Sequence, residues 1–211
     1  MADYKKPDYW QLKARKEGYP ARSVYKLKEM DEKFSLLKFS RNADFRILDL
    51  GAAPGSWSLY VLRRLAETNS AAKTGFLAAA DLAPLSREFD KGLFDSGNFF
   101  FVQGDITGAA IRDAIVSKGP YSLIISDAAP ATTGNHTVDA ARSLELGEAV
   151  LSYAEKILAP GGSLVIKIFQ GGDAADLLKR IKTLFKTAKS YKPQACRSES
   201  VETYYVGLGK K

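Results

Sequence analysis

Short apolar runs recur along this chain with helical patterns between them, and most of the runs stop at a glycine or an acid. Phe45 to Leu50 stops at Gly51, Gly75 to Ala80 at Asp81, Phe99 to Gln103 just before Asp105, and Tyr121 to Ser126 at Asp127. Continuous runs of this kind, rich in β-branched and aromatic residues, predict strands buried on both faces, as in a parallel sheet. Between them lie helical patterns: apolar Val24, Leu27, Met30, Phe34 and Leu37 within 22–39, a segment through Leu65, and the stretches Val138 to Leu158 and Asp173 to Phe185. A tyrosine-rich strand is expected from Glu202 to Leu208. Strands alternating with helices predict a doubly wound α/β sheet, whose ligands gather at the carboxyl ends of the strands. Gly51, Asp81, Asp105 and Asp127 then share one edge.

The run Leu164-Val165-Ile166-Lys167-Ile168-Phe169, which follows the turn Pro160-Gly161-Gly162, is broken from within by a lysine. A buried ammonium is costly unless it is paired, reaches water or serves chemistry. Burial also makes a lysine easier to deprotonate, so Lys167 is a candidate general base, the plainer alternative being a packed stem with its head in solvent.

A length of 211 residues suits one α/β domain over 1–211, and no repeat or interdomain linker interrupts it. Cys196 and His136 are the only residues of their kinds. An internal disulfide is therefore excluded, and a zinc site or a Ser-His-Asp triad is disfavoured, so no metal is expected. No stretch has the length of a membrane span, and the first ten residues lack the apolar core of a signal peptide; a cytoplasmic protein without a membrane partner is expected. The net charge of +7 is unevenly spread. Residues 1–28 carry +5, residues 179–197 carry +7 with no acid, and the remainder carries −5. Two basic segments on an acidic body, the first interleaved with Tyr4, Tyr9, Trp10, Tyr19 and Tyr25, point to nucleic acid.

The stretch Asp49-Leu50-Gly51-Ala52-Ala53-Pro54-Gly55-Ser56-Trp57 predicts a strand end, a glycine turn and a helix start. Glycines let backbone approach a ligand, and a helix N-terminus favours negative charge. Dinucleotide folds prefer G-x-G-x-x-G, whereas this turn is G-x-x-x-G with Pro54 lacking an amide donor. Asp81 is placed to accept from ribose hydroxyls, and Asp105 to meet an adenine amino group. A nucleoside cofactor without pyrophosphate fits this set best, and S-adenosylmethionine is the candidate.

Five separated motifs carry a resemblance. Ser23-Val24-Tyr25-Lys26-Leu27, Asp49 through Ser58, Ser126-Asp127-Ala128-Ala129-Pro130, Val165 through Gly171, and Ser200-Val201-Glu202-Thr203-Tyr204 resemble, in order, the FtsJ/RrmJ ribose 2′-O-methyltransferases. The likeness covers roughly residues 22–211. It implies a Rossmann-like S-adenosylmethionine-dependent methyltransferase fold, with a mostly parallel doubly wound sheet and an antiparallel C-terminal strand. The family's K-D-K-E tetrad falls on Lys26, Asp127, Lys167 and Glu202, and its cofactor positions fall on Gly51, Gly55, Trp57, Asp81, Asp105 and Asp127. Ser56 departs from the second glycine usual in bacterial members, and the loop Thr132 to His136 varies among subfamilies.

The resemblance further implies methyl transfer to a 2′-hydroxyl in structured RNA, with Lys167 accepting the proton, Lys26 helping to depress its proton affinity, and Asp127 and Glu202 orienting the amines and the hydroxyl. The favoured substrate is a uridine in the aminoacyl-site loop of large-subunit ribosomal RNA, bound as free RNA or in the large subunit, by a monomer. A tRNA anticodon-loop methyltransferase and a non-catalytic RNA-binding ribosome-assembly factor are the alternatives. The intact tetrad argues against the second, and the glycine pattern against a nicotinamide oxidoreductase.

Overall fold

A computed structural model describes residues 7–38, 45–68, 75–197 and 199–211. Its elements in chain order are α1 (Tyr9–Lys16), α2 (Val24–Phe34), β1 (Arg46–Leu50), α3 (Ser56–Thr68), β2 (Phe76–Asp81), β3 (Phe99–Gln103), α4 (Ala109–Val116), β4 (Tyr121–Ser126), α5 (His136–Ile157), β5 (Leu158–Phe169), α6 (Ala174–Leu184), β6 (Phe185–Tyr191) and β7 (Glu202–Lys210). The strands form one sheet in the order β3-β2-β1-β4-β5-β7-β6. The first five strands run parallel, while β7 lies antiparallel to both β5 and β6. After β2 and β3 on one side of β1, the chain returns to place β4 on the other side. The strand order reverses there, which opens a crevice at the carboxyl ends of β1 and β4.

Side chains alternate across a strand, and helices cover both faces of this sheet. Ile47, Leu77, Leu123, Ile125, Val165 and Val206 pack on the side of α1, α2 and α3. Leu48, Ala78, Ile124, Leu164 and Ile166 pack on the side of α4, α5 and α6. This is why the strands read as unbroken apolar runs. The same period of two places five polar residues: Asp49 follows Ile47, Asp127 follows Ile125, Lys167 follows Val165, and Glu202 and Tyr204 precede Val206. All five side chains therefore fall on the α2 side of the sheet, four of them at or near the edge where β1 and β4 end and Asp49 just beneath.

The sequence signals missed three elements. Helix α1 is only eight residues long and mostly polar; Asp8 starts it with a reciprocal cap, accepting from the Gln11 amide while the Gln11 side chain accepts from its own. Helix α4 is equally short. Strand β6 carries Lys186 and Lys189 with exposed side chains, the composition of a protected edge rather than of a buried strand. Of the helix expected over 22–39, α2 occupies 24–34, because Ser35 adopts φ 55° and ends it; residue 39 lies outside the described residues. The Pro160-Gly161-Gly162 turn is an irregularity inside β5, where Tyr121 pairs with Leu158 but Leu123 pairs with Ser163.

Candidate active site

β1 runs into the glycine turn, and the turn exists in this form because two backbones nearly touch. Gly51 has φ 76°, and a Cβ there would stand 2.4 Å from the Ala128 Cα. Gly55, at φ 107°, leaves room for the Phe94 ring, 2.9 Å from where its Cβ would be. The amides of Gly51 and Ala52 donate to the Ala80 carbonyl, and the Ala53 amide donates to Asp81 Oδ2 at 2.9 Å. Asp81 thus shapes the turn. Ser56, the departure noted above, accepts from the Ala21 amide at 2.8 Å and so ties α3 to the segment leading into α2.

A cleft of about 570 Å³ opens at the strand-order reversal, and Gly51, Asp81, Asp105, Asp127, Ala128 and Arg142 are among its lining residues. Asp81 Oδ1 also accepts from the Ala83 amide at 2.8 Å. Asp105 Oδ1 accepts from the Thr107 amide at 2.9 Å and its hydroxyl at 2.8 Å, and these bonds hold the carboxyl below the ordinary aspartate range. Gly55 and Trp57 do not line this cleft. The Trp57 indole is buried, donates from Nε1 to the Ser23 carbonyl at 2.8 Å, and lies 5.9 Å from the Tyr204 ring.

Lys26, Asp127, Lys167 and Glu202 come together from α2, the end of β4, β5 and the start of β7. Lys26 Nζ stands 2.8 Å from Glu202 Oε1, and Lys167 Nζ 3.1 Å from Asp127 Oδ1. Lys167 also donates to the Asp127 backbone carbonyl at 2.7 Å. Both lysines and Glu202 are buried. For Lys26, burial alone would lower the proton affinity, but the Asp127 and Glu202 carboxylates outweigh it and hold the ammonium above its ordinary value. For Asp127, burial pushes upward, while Lys167, Lys26 and the Tyr204 hydroxyl bring the carboxyl below its ordinary value.

Tyr204 and Asp49 had been given no role. Tyr204 pairs in register with Lys167 and donates to Asp127 Oδ1 at 2.6 Å, making it a fifth member of the cluster. Asp49 is fully buried beneath it, accepting from the Ser58 hydroxyl at 2.7 Å. The sequence signal for Tyr204 was its even spacing from Glu202. A second cleft of about 400 Å³ lies on the far side of the Lys26–Glu202 pair, lined also by Arg22, Ser23, Arg197, Glu199 and Ser200. The Arg22 guanidinium pairs with Asp8 and donates to the Ala195 carbonyl at 2.6 Å, joining the α1–α2 segment to the β6–β7 connection. The two basic segments meet there, although Arg180 turns away to pair with Glu148 and Glu155 of α5. Residues 1–6 of the first segment lie outside the described residues.

The lysine–carboxylate cluster thus lies between the two clefts, with Asp127 lining one and Lys26 and Glu202 the other. The model of the FtsJ-like methyltransferases matches residues 19–210. This chain belongs to that family. Ribosomal RNA large subunit methyltransferase E of Treponema denticola is 52% identical over 208 residues, which cover 99% of this chain and 97% of the relative. The protein of the same name from Oleidesulfovibrio alaskensis is 44% identical, covering 97% and 92% respectively. Among solved structures, a ribosomal RNA methyltransferase from Plasmodium falciparum superposes with a TM-score of 0.72 at 25% identity, over 91% of this chain and 98% of that one. Human methyltransferase-like protein 13 in complex with SAH shares the fold alone, with a TM-score of 0.54 at 13% identity over 88% and 79% of the two chains. The FtsJ-like match contains every residue of the cluster and both clefts.

Proposed function

We propose that this FtsJ-like methyltransferase moves a methyl group from S-adenosylmethionine to a ribose 2′-hydroxyl in structured RNA, and that its target is a uridine in the aminoacyl-site loop of large-subunit ribosomal RNA. The observation that carries this reading is the placement of the tetrad between two clefts: Asp127 lines one, Lys26 and Glu202 line the other. The names of the close relatives support ribosomal RNA as the substrate. A cytoplasmic place of action follows from a substrate of that kind.

The larger cleft fits the cofactor. Its volume lies in the range of ligand pockets, about 300–1,000 Å³. Asp81 is pinned by two backbone amides yet keeps lone pairs for ribose hydroxyls, and Asp105 is fixed by Thr107 at the next strand end. Small side chains at Ala128 and Ala129 leave room between them. When bound, S-adenosylmethionine supplies an electrophilic methyl group.

The protein's own contribution is to align the hydroxyl and take its proton. As a neutral amine, Lys167 has two N–H bonds and one lone pair. Its two acceptors, the carbonyl and the carboxylate of Asp127, use both N–H bonds and leave the lone pair for the hydroxyl proton. Tyr204 fixes the same carboxylate and hence the direction of that lone pair. Lys26, held by Glu202, stays cationic beside the oxygen on which negative charge grows. Arg22 and Arg197 border the basic cleft, where phosphates of the target strand would lie.

Mapping of 2′-O-methyl groups in large-subunit ribosomal RNA and tRNA, from cells with and without the protein, tests this reading. It predicts loss of one ribose methyl in the aminoacyl-site loop. Loss in an anticodon loop instead would move the substrate to tRNA, and loss nowhere would leave an RNA-binding assembly factor.

A further inference from the structure

Asp49 is a fully buried carboxylate near the cofactor cleft that the chemistry above leaves unused. It sits in β1 with no exposed surface. Ser58 of α3 donates to Oδ2, and Oδ1 has no hydrogen-bond partner. Asp49 pairs in register with Ala79 of β2 and Ile125 of β4. Two residues further along those strands, on the same face, stand Asp81 and Asp127. Among the described residues, these two carboxylates are the charged groups acting on Asp49, Asp81 from β2 and Asp127 from β4, while α3 contributes only the Ser58 hydroxyl. Lys167 and Lys26 lie beyond Asp127 and are held by it and by Glu202. Burial pushes the Asp49 carboxyl up to about 7; the Ser58 bond opposes this, and Asp127 and Asp81 add to it.

A fully buried carboxyl with one unpartnered oxygen and two acidic neighbours is stable only while it keeps its proton. A cation brought into the cleft reverses that balance. We propose that Asp49 is a proton-linked charge sensor under the cofactor cleft: the sulfonium of S-adenosylmethionine expels its proton to solvent, and the neutral thioether product lets the proton return. The enzyme thereby favours the charged cofactor over the spent one and eases product release. The inference rests on the cofactor assigned above.

Calorimetric titration of the whole protein with S-adenosylmethionine and with S-adenosylhomocysteine, at pH 7 in two buffers of contrasting ionisation enthalpy, tests it. A half-protonated group predicts release of up to about half a proton with the sulfonium ligand and essentially none with the thioether. Asp49→Asn, the neutral isostere, should abolish the release and narrow the preference for the sulfonium by about tenfold for each unit of proton affinity displaced. The wild-type titration needs no variant, so a poorly folding Asp49→Asn leaves the first measurement intact. Equal proton release with both ligands, or release unchanged in Asp49→Asn, would overturn the proposal while leaving the cofactor in place. Binding of neither ligand would remove the cofactor assignment and this proposal together.

Discussion

Asp49 also makes a prediction about stability that needs no ligand. In an unfolded chain its carboxyl titrates near 3.8, and in the fold near 7. Because the folded value is the higher one, the contribution of Asp49 to stability is fully present below about pH 3.8 and is lost as the pH rises through 7. A displacement of about three units corresponds to roughly 4 kcal/mol, at about 1.36 kcal/mol per unit. Replacing Asp49 by asparagine keeps an oxygen to accept from Ser58, so packing costs are the same at every pH. The variant should therefore gain on the wild type steadily between pH 4 and pH 7 and hold a constant advantage above that. For a domain of this size, 4 kcal/mol corresponds to about 8–16 °C in Tm. Thermal and urea melts of both ligand-free proteins at several pH values between 4 and 8 measure the difference. A difference that does not vary with pH would refute the reasoning, since it would mean that Asp49 is already ionised in the fold.

Three further outcomes follow from particular contacts. Lys26→Met and Glu202→Gln each leave a buried partner exposed to an unbalanced field and should each cost about 3–5 kcal/mol, whereas the double variant should cost less than their sum; strict additivity in a denaturation cycle would show that the pair is not coupled. Lys210 Nζ donates to the carbonyls of Ala154, Glu155 and Leu158 at the end of α5, so Lys210→Met should lower stability by about 1–3 kcal/mol in urea with an unchanged m-value. Lys13→Glu and Lys16→Glu on α1 should each flatten the dependence of log RNA affinity on log salt by about 1 while leaving cofactor affinity alone; an unaltered slope in filter binding would place the RNA elsewhere.

The parallel half of the sheet was legible because burial on both faces leaves no polar alternation to confuse a strand with anything else. Ile47 and Leu48 face opposite layers and are both apolar for that reason. The charged edge that lines the clefts was legible because charge at the end of such a run is conspicuous. What stayed hidden lacked that contrast. The edge strand β6 is defined by its pairing with β7, a non-local partner that no window of sequence contains. Asp49 interrupts Ile47-Leu48-Asp49-Leu50 much as Lys167 interrupts its own run, and the same reasoning applied to β1 would have found it. Tyr204 looked like one more aromatic on a late strand, because its hydroxyl acquires meaning only through the register that sets it opposite Lys167. Several cations of the basic segments neutralise the protein's own acids, as Lys28 does Glu17 and Lys179 does Asp176, a pairing that a count of charges along the chain does not reveal.

The role of Lys167 as proton acceptor is tested most directly by single-turnover methyl transfer to RNA, measured for Lys167→Ala and Lys167→Arg beside thermal melts and cofactor titrations of both. Positioned general bases supply about 10²–10⁴-fold in rate, and guanidinium stays protonated and cannot accept the proton. The account predicts that both variants fold, bind cofactor and lose at least about 10²-fold in the rate of transfer. An arginine variant that transfers methyl groups at close to the wild-type rate would contradict it and reduce Lys167 to a fixed positive charge beside Asp127.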